Sequence, residues 1–213
     1  RFVLPAYIVT AALFSVGIYN IIACLTGATD NFYVDMANYI YIFAVLSPII
    51  IVSRSFKRIM CLNGSKKGFF WGTLLTYCVS SAVISLICIL FFVVTNFALG
   101  SQLIIQSFVN NFGWWKNGVI IAFIQQFSFL LLVQIFFHVL TSIQSRWYGW
   151  VVDALIAIVL CVFLPVPELR SLIVKFFNVI IFNKSAILQI ASCLTLSNIL
   201  YFLYVPIIRR KEV

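Results

Sequence analysis

Residues 69–99 form one continuous apolar run without a charged side chain. A run of that length belongs in hydrocarbon, where backbone N–H and C=O groups must be satisfied within helices or a closed barrel. A barrel would show alternating segments of about ten residues, whereas this run is unbroken, so the segment is helical. The rest of the chain agrees. It is 64% apolar and 9% charged, with a mean hydropathy of +1.14, against about 25% charged residues in a soluble domain. The fold class is all-α and polytopic, a single transmembrane domain over 1–213.

With about 20 apolar residues needed per crossing, six spans are expected at 2–26, 36–52, 69–99, 118–142, 148–164 and 186–208. The third exceeds one perpendicular crossing and implies tilt or an extension beyond the bilayer; the fifth is short. Loop charge sets the orientation. With the N-terminus inside, ten of the fourteen Lys and Arg residues fall on one side and four on the other. Basic residues beside spans are retained in the cytoplasm, so both termini are expected there, in a multi-pass plasma-membrane protein. The basic residues are divided among loops, which excludes a nucleic-acid surface. Because the chain opens at Arg1 without a Met, native residues are expected before it. The six cysteines are scattered, with no Cys-x-x-Cys, and read as small lipid-buried hydrophobes.

Three connections say more than topology. The first, 53–68, holds Arg54, Lys57, Arg58, Lys66 and Lys67, five of the fourteen basic residues. Residues 54–61 are expected to form a short cytoplasmic helix after the second span, with Phe56, Ile59 and Met60 on one side and Lys57 and Arg58 elsewhere. Asn63-Gly64 is a strong turn signal, and Ser65 is placed to cap the next helix. This loop has the character of a docking surface. The second connection, 100–117, is external and carries Phe108, Phe112, Trp114 and Trp115, whose rings suit the headgroup level. The third, 165–185, is too apolar for a free loop, yet Arg170, Lys175 and Lys184 interrupt it. It is expected to be an external re-entrant or interfacial helical piece before the sixth span.

The chain is poor in catalytic chemistry. It has one His and five acids, with no His-x-x-x-His, Glu-x-x-His or Gly-x-Ser-x-Gly. Gly113 to Gly118 has the glycine spacing of a phosphate loop, but Val119-Ile120 replaces its Lys and Ser/Thr. No enzyme, metal or bound cofactor is expected in this chain. The fourth span carries Gln126, Gln134, His138, Thr141 and Ser145 within about one third of the helix circumference. Such a stripe either lines a path or bonds neighbouring helices, and the second reading is favoured. Asp153, inside the fifth span, needs a polar partner; Arg146 is the nearest basic residue in sequence. Pairing is favoured there over a gating role.

The stretch Leu62-Asn-Gly-Ser-Lys-Lys-Gly-Phe-Phe-Trp-Gly-Thr73 resembles the entry to the third helix in the ABC-2-type permease family, the membrane subunits of small bacterial ATP-driven exporters. Six spans, both ends inside and an apolar external segment before the sixth extend the resemblance to most of the chain. It implies that 54–61 is a coupling helix, with Phe56, Lys57, Arg58, Ile59 and Met60 docking on a separate ABC ATPase subunit that binds ATP and Mg. It further implies a second permease copy or a sister permease, and outward transport of a hydrophobic or amphipathic substrate, peptides included, across the bacterial cytoplasmic membrane. Two alternatives stay open: the substrate-binding membrane subunit of a vitamin-uptake system, and a non-transport scaffold or channel. Membrane lipids are partners on any of these readings.

The topology is directly testable. Lys66→Cys and Lys211→Cys variants should react with membrane-impermeant thiol reagents only from the cytoplasmic side, and Lys116→Cys only from outside. Labelling of positions 66 and 116 from the same side would break the six-span arrangement.

Overall fold

The computed structural model describes residues 32–35, 37–99, 104–144, 147–163, 165–183 and 185–209; the span expected at 2–26 lies outside them. In chain order the elements are β1 (Phe32–Val34), α1 (Ala37–Cys61), α2 (Lys66–Leu99), β2 (Ile104–Gln106), α3 (Phe108–Asn111), α4 (Val119–Ile143), α5 (Trp147–Ile158, continued by a wider π turn to Phe163), α6 (Pro167–Ile180) and α7 (Ala186–Arg209). Four of these, α1, α2, α4 and α7, are long and apolar enough to cross a membrane. This is a multi-pass, membrane-embedded helical protein.

The helices hold to the sequence reading in places and depart from it in others. Residues 54–61 do not form a separate helix. They are the last turns of α1, joined to Ile50 through a π turn at Ile51–Ser55 whose flanking residues stay in the helical region. No residue in that stretch breaks the helix, and it ends only where Asn63 takes a positive φ of 59°. Asn tolerates that conformation better than most residues. At Gly64 a Cβ would lie 2.7 Å from the Ile59 carbonyl oxygen, so the turn needs a glycine there. Ser65 then caps α2, its Oγ accepting from the Gly68 N–H at 3.0 Å.

Helix α2 runs 34 residues without a break, about 51 Å against a hydrocarbon core of about 30 Å. It starts at Lys66, where the Ser65 cap places it, three residues before the apolar run begins at Phe69. Helix α5 is the short fifth segment; only Gly149–Ile158 is apolar helix by composition, below the length of a crossing. Helix α6, 14 residues long, spans only about 21 Å. Its Leu172, Val174, Phe176 and Phe177 are exposed, while Ile180 is buried.

Helix α4 is the axis. It packs on α1, α2 and α7, which otherwise show much of their surface outward. One buried cluster, around Phe56, Phe69, Tyr77, Tyr201 and Tyr204, fills the end nearer the basic turn. A second, around Val109, Trp114, Ala122, Ile180 and Ile181, fills the opposite end. Trp114 therefore departs from the headgroup-anchor reading. It is 1% exposed and its indole N–H donates to the Ile181 carbonyl at 3.1 Å. A buried indole needs such an acceptor, and the turn after α6 supplies it.

Unforeseen from the sequence is a parallel pairing of β1 with β2, Phe32 opposite Ile104 and Val34 opposite Gln106. Three-residue strands are marginal alone. Here the Asn38 side chain reinforces them, donating to the Gln106 carbonyl at 2.8 Å and accepting from the Phe108 N–H at 3.0 Å. Asp35 follows β1 and is fully buried. Its Oδ1 accepts from the Ala37 N–H at 3.1 Å, capping α1. Oδ2 has no hydrogen-bond partner among the described residues.

Burial pushes the Asp35 carboxyl up to about 6, against which the Ala37 N–H pulls weakly downward. A raised acid binds its proton more tightly folded than unfolded. Its contribution to stability is therefore full below about pH 4 and lost as pH rises through about 6. Asp35→Asn keeps the capping oxygen without the charge. It should raise the melting temperature at pH 7, by a stability gain of at most about 3 kcal/mol, and leave it unchanged at pH 4. Equal melting of the two proteins at pH 7 would show that the buried charge carries no cost.

Candidate functional site

Two groups of residues carry the chemistry: the turn between α1 and α2, and the polar side chains of α4. At the turn, Arg54, Lys57, Arg58 and Lys67 are exposed. Among the expected docking residues, Ile59 is 37% exposed and its neighbour Leu62, which the sequence reading omitted, is 75% exposed. Phe56 points the other way. It is 1% exposed, with its ring edge-on to Phe69 at 5.1 Å between centroids. Met60 is half-buried against the same cluster. The helical continuity of α1 explains the division: Phe56 and Met60 lie one turn apart on the face toward α2, while Lys57 and Arg58 lie off it. Phe56 and Met60 thus belong to the chain's own core, and the outward face consists of Lys57, Arg58, Ile59 and Leu62.

Along α4 the polar side chains reach different neighbours. The Gln126 amide donates to the Tyr41 hydroxyl of α1 at 2.6 Å. Gln134 Oε1 accepts from the Ser80 hydroxyl of α2 at 2.8 Å. His138 Nδ1 shares a 2.6 Å hydrogen bond with the Tyr77 hydroxyl, and the Tyr204 ring of α7 stands edge-on to the imidazole at 4.3 Å. Gln126, Gln134 and His138 are all fully buried. The fourth tie was not anticipated. Gln125 donates to Gln189 Oε1 of α7 at 2.5 Å and accepts from the Asn117 amide at 3.1 Å. Gln125 lies about 100° from Gln126, off the stripe; the signal for it was Gln189, the one glutamine of the last span. Thr141 turns back on its own helix, donating to the Phe137 carbonyl at 2.7 Å.

Asp153 is half-buried in α5, and its Oδ2 accepts from the Gln144 amide at 2.8 Å. The expected partner Arg146 and the stripe residue Ser145 lie outside the described residues. The short α4–α5 turn makes the Gln144 pairing possible. At Gly149 an added Cβ would come within 2.7 Å of the Ile143 carbonyl oxygen, so the two helices meet without side-chain separation. Among the described residues no cluster of three or more His, Cys, Asp or Glu could hold a metal ion.

The chain matches no protein-family model, no curated protein and no solved structure. Any functional reading therefore rests on the geometry of this chain.

In a bilayer, interhelical hydrogen bonds average about 0.6 kcal/mol, with a maximum near 1.7. Ser80→Ala, Gln134→Leu and the double variant should give a coupling energy on that scale in a thermal-stability cycle. Additive effects would mean that the Ser80–Gln134 bond contributes nothing to holding α2 on α4.

Proposed function

We propose that this chain is the membrane-spanning permease subunit of an ATP-driven exporter, with ATP hydrolysed by a separate subunit docked at the α1–α2 turn. The observation that carries the reading is the composition of that turn. Exposed Ile59 and Leu62 stand beside Lys57 and Arg58 at the tip of a hairpin of two membrane-length helices. Apolar anchors ringed by charge are what a protein partner buries, the anchors giving affinity and the charges setting encounter rate and register. The 34-residue length of α2 supports the reading as well, since it lets the tip stand clear of the lipid. A second copy or a sister permease completes the proposed translocation unit, as closed two-fold assembly is the commonest solution. The substrate class that fits a lipid-accessible helical domain is hydrophobic or amphipathic.

The test uses the outward face alone. Ile59→Ala with Leu62→Ala should weaken co-purification with an ABC ATPase subunit co-expressed with this chain and lower substrate-stimulated ATP hydrolysis, with the membrane domain still folded. Phe56→Ala should instead destabilise the domain itself by about 3–5 kcal/mol, the usual cost of truncating a buried Phe. Unchanged ATPase binding by the Ile59/Leu62 variant, together with loss of membrane retention when Lys57, Arg58 and Lys67 are neutralised, would replace the docking reading with a lipid-headgroup one.

A further inference from the structure

A column of buried polar side chains runs through the interface of α1, α2 and α4. The antiparallel register of α2 and α4 sets Ser80 level with Gln134 and Tyr77 level with His138, each pair hydrogen-bonded. The same register brings Cys88 beside Gln126 and puts Thr73 level with Ser142. Ser81 and Ser85 fill the levels between Cys88 and Tyr77, one turn apart on one face of α2, and both are fully buried. From Cys88 to Thr73 the column measures about 22 Å at 1.5 Å per residue, most of a hydrocarbon core of about 30 Å.

Both ends of the column reach toward water. At the strand end, Asp35 interacts electrostatically with Tyr41 and Cys88. Its backbone N–H donates at 3.2 Å to the carbonyl of Gln106, which is itself an exposed residue. At the basic-turn end, Thr73 is bonded to Tyr201 and lines an open groove with Ser55 and Thr76. Asp35 and His138 are the only buried acid and base among the described residues. The other titratable groups that face the column are Tyr41 of α1, Tyr77 and Cys88 of α2, and Tyr201 and Tyr204 of α7, with Cys78 of α2 beside Tyr201.

Interhelical bonding alone leaves much of this column unexplained. Asp35 Oδ2, Gln126 Oε1, Ser85 Oγ, Ser81 Oγ and Gln134 Nε2 are buried at successive levels with no hydrogen-bond partner among the described residues. Polar atoms at such depth are satisfied by protein or by ordered water, and a buried water makes about 2–4 bonds to groups of this kind. Burial holds the Asp35 carboxyl at about 6, so it exchanges its proton close to neutral pH. Acids and histidines joined by polar groups inside a membrane have the chemistry of a proton relay.

We infer that this column is a hydrated proton pathway running from Asp35 through His138 to Thr73. Each hydroxyl or water takes a proton on one lone pair and releases its own onward. One proton enters at Asp35 as another leaves beside Thr73, and the column itself is unchanged. The amides of Gln126 and Gln134 hold the waters in file and do not exchange. The inference is independent of the exporter reading.

The full chain reconstituted in liposomes with an entrapped pH-sensitive dye tests it, with a valinomycin-clamped potassium gradient as the driving force. Wild-type liposomes should acidify faster than protein-free ones. Asp35→Asn should slow the protein-dependent flux at least about tenfold; the fold analysis above makes this variant the more stable one at pH 7, so its loss of flux is not a loss of folding. Ser81→Val with Ser85→Val, which dries the middle of the column, should slow it to a similar degree. Leu86→Val, on the exposed face of α2, should conduct as the wild type does. Flux no greater than that of protein-free liposomes would mean structural water only and overturns the proposal. So does a normal flux in Asp35→Asn, or an equal loss in Leu86→Val. Should the serine pair fail to fold by thermal melting, Asp35→Asn decides alone.

Discussion

Among the described residues, every other long helix is tied to α4 by a side chain that carries its own hydrogen bond across. In water, apolar faces would suffice to hold four helices together. In lipid they do not, because the surrounding chains are as apolar as leucine. Packing contacts and polar ties are what remain, and α4 supplies ties in three directions: Gln126 to α1, Gln134 and His138 to α2, Gln125 to α7. A buried amide without a partner is costly in hydrocarbon, so these side chains also forbid alternative packings in which α4 rotates. The rotational setting of α4 in turn fixes which face of α2 looks inward.

The two ends of the domain are built differently. At the basic turn the closure is aromatic: Phe56, Phe69, Tyr201 and Tyr204 crowd together, and Tyr201 adds a hydroxyl bond to Thr73 at 2.8 Å. At the opposite end, Trp114 pins the 3₁₀ turn Trp114–Asn117 before α4 to the turn after α6, so a single indole joins the entrances of α4 and α7. The docking proposal follows this division. The outward residues of the basic turn are exposed, while the opposite end is closed by the turn after α6 packed on Trp114.

How much was legible in the sequence follows from what each feature depends on. The positions of α2, α4 and α7 are readable because crossing a bilayer demands long apolar runs, and caps such as Ser65 mark their starts. The Asn63-Gly64 turn is readable because its backbone requires those residues. The burial of Phe56 was not, since a basic stretch with three apolar residues fits a free amphipathic helix and a continued span equally well; the choice depends on the absence of a breaker between Pro48 and Asn63. Trp114 was misread for a related reason, because an aromatic-rich connection looks alike whether its rings meet headgroups or each other. The polar stripe of α4 was visible, but its partners Tyr41, Tyr77 and Ser80 come from spans whose scattered polar residues give no sign of direction. The β1–β2 pairing joins segments about 70 positions apart and leaves no local pattern at all.

That pairing changes the mechanics of the α1–α2 hairpin. A helical hairpin joined only by its turn can open like tweezers. Here the start of α1 and the exit of α2 are stitched together by the strands, so the two long helices form a closed hoop with the Asn63-Gly64 turn at one pole and the strand pair at the other. A hoop cannot splay without first unzipping its strands. A push delivered to the basic pole is therefore carried as tilt or axial displacement of the whole frame, and it reappears on the far side of the membrane at the seam where Asp35 is buried.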